Sequence, residues 1–183
     1  MTIPKNAART PGKPFASAHA GTDKLASARL RQAVPKLDVR SEWFADGEPL
    51  PARASADGEG EPPPLEWSEP PPRTREFALV CEDPDAPRTE PFVHWLVYSI
   101  PGNARALDGA GVARARQGRN GAGGCDFTPA APPPGHGVHH YHFELFALDE
   151  PLGLDTGADK AELVDAMDGH VLAYGELVGT FTR

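Results

Sequence analysis

Two short apolar runs stand out as strands, "EFALVCE" (76–82) and "FVHWLVYSI" (92–100). The second is largely apolar on both faces, as a strand covered on both sides would be. A third run, "HHYHFELFAL" (139–148), divides by the two-residue period of a strand. His139, Tyr141, Phe143 and Leu145 share one face, and His140, His142, Glu144 and Phe146 share the other. The second of these faces is expected to be a polar, solvent-facing stripe. "VLAYGELVGTFTR" (171–183) reads as a closing strand. One segment has helical spacing: in "DKAELVDAMDGH" (159–170), Leu163, Ala166 and Met167 lie on one stripe, with Asp159 at the start and Gly169 at the end. A second, weaker helix is predicted over 21–34, capped by Thr22 or Asp23 and stopped by Pro35.

Between these elements the chain is broken by turns. Pro (21) and Gly (19) are frequent, and "DG" at 46–47 and 57–58 marks two turns. The proline-rich stretches 61–67 and 68–74 read as extended segments unable to serve as central strands, because proline lacks the ladder donor. Residues 102–137 read as a long ordered loop. Strands prevail, so the expected fold is mostly β: an antiparallel β-sandwich with peripheral helices. The expected division is an N-terminal tail, 1–36, flexible or a short helix, followed by one domain, 37–183.

Charge then narrows the function. The chain carries a net charge of -8, which argues against nucleic acid as a partner. No apolar stretch is long enough to span a bilayer, and the N-terminus lacks the apolar core of a secretory signal, so no integral membrane contact and a cytoplasmic location are expected. Cys81 and Cys125 form no metal pattern, and Cys81 reads as a small core residue.

Chemistry gathers at the turn "DPDAP" (83–87). Pro84 and Pro87 stiffen it, which holds Asp83 and Asp85 at the mouth of the strand carrying Cys81. His94, His139 and Tyr141 could reach the same mouth from neighbouring strands. Two imidazoles and a phenol would then offer donors to an anion while a carboxylate orients the rings. Spacing alone is met slightly better by a plainer reading, a capped turn with core histidines. His140, His142 and Glu144 alternate as metal ligands would, but nothing else supports a metal, and none is expected. No GxSxG is present, and "GRNGAGG" (118–124) lacks the ending of a phosphate loop.

"DPDAP", a histidine inside an apolar strand ending "IPG", and the "PPxGxGxHxY" spacing resemble the phosphatidylethanolamine-binding protein family, nearest to its bacterial, Raf-kinase-inhibitor-like branch. "FADGEPLP", "QGRN", "FALDEPL" and "GHVLAYGELVGTF" follow in family order, and the likeness runs over 38–183. It implies a sandwich of two antiparallel sheets and a small anion-accepting pocket. Carried over, that pocket would use Asp83, Asp85, Pro87, His94, Ala131, Pro132, His139 and Tyr141. Two positions depart from the pattern: His140 stands where the family writes arginine, and Ala131 where it often has glycine. The first would loosen the sheet or make it pH-dependent, and the second would narrow the pocket or oppose a positive φ.

The expected function is non-catalytic binding of a small anion, such as phosphate, phosphoethanolamine or a carboxylate, without cofactor. The alternative is a kinase or protease inhibitor acting through a protein partner. An enzyme with Asp83 and His94 as an acid–base pair ranks last. A homodimer would suit the bacterial branch.

Overall fold

A computed structural model describes residues 19–30 and 33–183. Residues 1–18, and with them half of the expected tail, lie outside the described residues, as do positions 31 and 32 of the predicted first helix.

Among the described residues, eight strands form two antiparallel sheets. The larger is ordered β6-β4-β3-β7-β8, with β3 Glu76–Asp83, β4 Phe92–Pro101, β6 Arg116–Gln117, β7 His139–Leu148 and β8 Val171–Phe181. The smaller is ordered β1-β2-β5, with β1 Val39–Arg40, β2 Leu65–Trp67 and β5 Ala106–Leu107. The mostly-β sandwich expected from the sequence is therefore present. The long runs fall where their patterns placed them. β3 is buried at every position, because β4 and β7 flank it and its two faces meet different cores.

The inner core lies between the sheets. Phe77, Leu79 and Cys81 of β3 meet Val39, Leu65 and Trp67 of the small sheet and Tyr141, Phe143 and Leu145 of β7. The outer core lies on the far face of the large sheet. There Ala78, Val80, Leu96 and Phe146 are covered by Leu163, Val164 and Met167 of helix α3 (Lys160–Met167) and by Ala26 and Leu30. The side chain of Asp159 caps α3 through the Glu162 N–H, and the Glu162 side chain returns a bond to the Asp159 N–H. Gly169, at φ 85°, turns the chain from α3 into β8.

Three expectations give way. The run 102–137 is not all loop: it contains β5, the short helix α2 (Gly109–Val112) and β6. Elements of two to four residues are too brief to show periodicity. The proline-rich stretch 61–67 does supply a central strand, since β2 sits between β1 and β5. The prolines precede it, so the N–H groups of Leu65, Glu66 and Trp67 remain. The predicted helix over 21–34 is a 3₁₀ turn at Thr22–Lys24 and a four-residue helix α1, Ala26–Arg29, with Leu25 extended between them.

The break at Leu25 has a cause in the sheet. Glu82 and Glu144 project from the outer face of β3 and β7, both fully buried. The Ala26 N–H donates to Glu82 Oε1 at 2.9 Å, and the Ser27 N–H donates to Glu144 Oε1 at 3.2 Å. Lys160 of α3 pairs with the second oxygen of Glu82 and donates to the Lys24 carbonyl at 3.0 Å. Two carboxylates of the sheet therefore cap the start of α1. The expected solvent-facing stripe of β7 survives only at His140. His142 is largely covered and Glu144 and Phe146 are buried, because 19–30 and α3 roof that end of the sheet.

Burial raises the Glu144 carboxyl, and the neighbouring negative charge of Glu82 raises it further, to about 8 from an ordinary 4.5. The folded protein thus holds a proton on Glu144 that the unfolded chain releases near pH 4.5. Stability from this group is complete below that value and is lost as pH rises toward 8, by up to about 1.4 kcal/mol per pH unit. Glu144→Gln keeps the shape without the charge. Urea unfolding at pH 5, 6.5 and 8 is expected to show wild-type stability falling through this window and a flatter profile in the variant. Parallel profiles would exclude Glu144 as the source.

Candidate functional site: a polar pocket at the ends of the central strands

The three central strands β4, β3 and β7 bring their ends to one edge of the sandwich. Antiparallel pairing sets the C-terminal end of β3 beside the N-terminal ends of β4 and β7. Asp83, the last residue of β3, therefore meets His94 on one side and His139 and Tyr141 on the other. All four are buried.

Each polar group here has a defined partner. Asp83 Oδ1 accepts from the Asp85 N–H at 2.8 Å, which folds the DPDAP turn back on its own first residue. Its other oxygen lies 2.7 Å from His139 Nδ1. A carboxylate accepts, so Nδ1 of His139 carries a proton. His139 Nε2 in turn meets His136 Nδ1 at 2.9 Å. His94 Nδ1 lies 2.6 Å from the Thr128 carbonyl, while the Thr128 N–H donates back to the His94 carbonyl at 2.9 Å. The carbonyl accepts, which leaves His94 Nε2 as a lone pair when the ring is neutral. Burial pushes the His94 pKa down, outweighing the Thr128 contact, so the neutral ring is favoured. Burial also pushes the Tyr141 phenol well above its usual range, helped by the Asp83 charge. Tyr141 thus remains an O–H donor.

Rings line one wall in a row. Phe92 and His94 meet edge-on with centroids 4.7 Å apart, and His94 and Tyr141 likewise at 4.9 Å. The opposite wall is the loop 128–133. The cavity between them measures about 270 Å³. Of the eight residues carried over from the resemblance, Asp83, Pro87, His94, Ala131, Pro132, His139 and Tyr141 line it. Asp85 does not. Its Oδ2 accepts from the His140 N–H at 2.9 Å and meets the His140 ring at 2.7 Å. Asp83 and Asp85 both orient histidines, but only the first does so within the cavity.

Both departures acquire a physical answer. His140, in place of an arginine, clamps the DPDAP turn through Asp85. Ala131 needs no glycine, since Ser99 is the one non-glycine residue at positive φ among the described residues. The alternating histidines diverge as well. His142 pairs with Glu176 at 2.7 Å and His140 with Asp85. Among the described residues no cluster of three or more His, Cys, Asp or Glu side chains suits a metal. Cys81 lies fully buried beneath, its thiol held protonated by burial.

Sequence reasoning missed Arg88, Phe92, Thr128 and Pro129, which also line the cavity. Arg88 directly follows the turn, and that adjacency was the available signal. Thr128 acts through its carbonyl, which no residue type advertises.

These features define a class: a two-sheet β-sandwich with peripheral helices whose buried polar side chains converge at one end of the central strands. The family described as phosphatidylethanolamine-binding protein matches residues 40–182. The UPF0098 protein of Methanothermobacter thermautotrophicus is 36% identical over 153 residues, spanning 80% of this chain and 99% of its own. The crystal structure of the Chlamydia trachomatis homologue CT736 is similar, with a TM-score of 0.76 at 36% identity over 81% of this chain and 98% of that one. Escherichia coli YbcL, described as a member of the mammalian family, gives 0.74 at 29% identity over 81% and 99%. The chain belongs to the phosphatidylethanolamine-binding protein family.

The Asp83–His139 pair is open to a direct test. Asp83→Asn keeps the oxygen that binds the Asp85 N–H but turns an amide N–H₂ toward His139. The ring proton is expected to move from Nδ1 to Nε2, and stability to fall by about 1–3 kcal/mol as the charge-assisted bond is lost. Nitrogen-15 chemical shifts of the His139 ring report the tautomer. An unchanged Nδ1–H form would show that Asp83 does not set it.

Proposed function

We propose that this protein binds a small phosphorylated ligand in the cavity walled by His94, His139 and Tyr141, without chemical turnover. The observation that carries the reading is the pre-set hydrogen-bonding state of the pocket. Tyr141 offers a donor and neutral His94 offers an acceptor, both buried, with His94 held by the Thr128 carbonyl. A phosphate bearing one proton satisfies both at once, since its anionic oxygen takes the phenol O–H and its P–O–H faces His94 Nε2. A plain carboxylate brings no proton for His94. The family's name points to phosphoethanolamine head groups as the first candidates.

Binding is favoured over catalysis because the groups in the pocket are held away from reactive states. The Tyr141 phenol stays protonated, and the Asp83 carboxylate is engaged on both oxygens, so neither is poised as a nucleophile.

The test is a nuclear magnetic resonance titration with inorganic phosphate and phosphoethanolamine. Shifts are expected at His94, His139 and Tyr141, with Tyr141→Phe weakening affinity by about 10-fold or more. Affinity is also expected to fall between pH 6 and 8, because phosphate sheds the proton that His94 accepts. Titrations that leave these three residues unmoved would sink the proposal.

A further inference from the structure

We propose that Arg88 is a ligand-contacting residue that selects phosphomonoesters over phosphodiesters, a reading that rests on the phosphate-binding function above. Arg88 follows Pro87 and lines the same cavity as His94 and Tyr141. Its backbone is held by a bond from its N–H to the Ala86 carbonyl at 2.6 Å. Its guanidinium carbon stands 4.8 Å from the centre of the Phe92 ring, at the outer end of the row formed by Phe92, His94 and Tyr141. The cation–π stack limits the orientations of the guanidinium plane.

This cation has no acidic partner among the described residues, although Asp83, Asp85 and Glu90 lie within five residues of it in the chain. Each is committed elsewhere. Asp83 holds His139, and Asp85 holds His140. Glu90, two residues along, pairs with Lys24 at 3.0 Å, and Lys24 also donates to the Thr89 carbonyl at 2.6 Å. Lys24 belongs to the N-terminal stretch, outside the matched family region 40–182. Lys24 thus engages the carboxylate nearest in sequence to Arg88 on its C-terminal side.

The preference follows from counting oxygens. A guanidinium presents two parallel N–H groups and takes two oxygens of one phosphate. The inner wall needs in addition a P–O–H facing His94, while Tyr141 donates to an oxygen that the fork already holds. A phosphomonoester bearing one proton supplies all three oxygens, whereas a phosphodiester has two and no P–O–H. The diester therefore does not seat against His94, and the fork, set for a phosphate seated there, gains little from it. The free head group fits this arrangement better than the intact phospholipid does. The apolar side chains Phe92, Pro129 and Pro132 are left to receive the organic part of the ligand.

Calorimetric titration with phenyl phosphate, a monoester, and with methyl phenyl phosphate, its diester, tests the idea in wild type, Arg88→Gln and Arg88→Lys. Wild type is expected to bind the monoester at least about 10-fold more tightly. Arg88→Gln is expected to lose about 10–100-fold for the monoester and little for the diester, and Arg88→Lys to fall between them, because lysine keeps the charge but not the fork. Arg88 is exposed, so the variants are expected to fold, and unchanged ring shifts of His139 verify it. Wild-type binding that Arg88→Gln leaves unaltered, or weakens equally for both esters, overturns the role of Arg88 while the pocket reading stands. Wild-type binding of neither ester overturns both.

Discussion

The structure depends on one constraint: a charged side chain ends a strand that is buried along its whole length. β3 has no exposed position, so Asp83 at its end is 3% exposed. A carboxylate so placed is costly unless its oxygens are occupied by donors. Both are, one by the Asp85 N–H and the other by His139. The first bond shapes the proline turn. The second draws the start of β7 against the end of β3, where Tyr141 then stands beside His94 in the cavity wall. The pocket is thus what the fold must build to bury Asp83, and its polarity follows from that burial.

The same strand carries a second charge onto the opposite face. Asp83 and Glu82 are neighbours, so the alternation of a strand sends one inward and one outward. Glu82 finds Lys160 and the Ala26 N–H, and Glu144 on the adjacent strand finds the Ser27 N–H and the Tyr174 hydroxyl. These acceptors draw residues 19–30 over the sheet, beyond the region that the family match covers. The stretch reaches both functional edges. Lys24 meets Glu90 beside the cavity, and His19 meets the Asp85 carbonyl at 2.8 Å. Outer-face electrostatics and the cavity rim therefore share one segment.

What could be read from sequence follows the range of the interactions. β3, β4, β7 and β8 were legible because each is eight or more residues long and its pattern reflects burial alone. The strands of the small sheet are two or three residues each, and their pairing is set by partners far along the chain. The predicted helix over 21–34 shows the limit from the other side. Leu25, Ala26 and Leu30 do bury as an apolar stripe requires, yet the helix begins only at Ala26. Its caps, Glu82 and Glu144, lie 56 and 117 residues away, where no local rule looks for them. At the site, side-chain types pointed to Asp83, His94, His139 and Tyr141, and the family resemblance added Pro87, Ala131 and Pro132. The Thr128 carbonyl that fixes His94 belongs to the backbone, and Arg88 lies just outside the motif.

His140 shows how a departure from a family pattern is judged by its partner rather than by its identity. A missing arginine suggests a lost contact when seen in sequence alone. In the fold, His140 makes two bonds to one oxygen of Asp85, through its backbone and its ring. The backbone bond is independent of residue type, so any residue at this position retains it. The side chain adds the remainder through its ring Nδ1. The turn that presents Pro87 and Arg88 to the cavity therefore keeps its anchor.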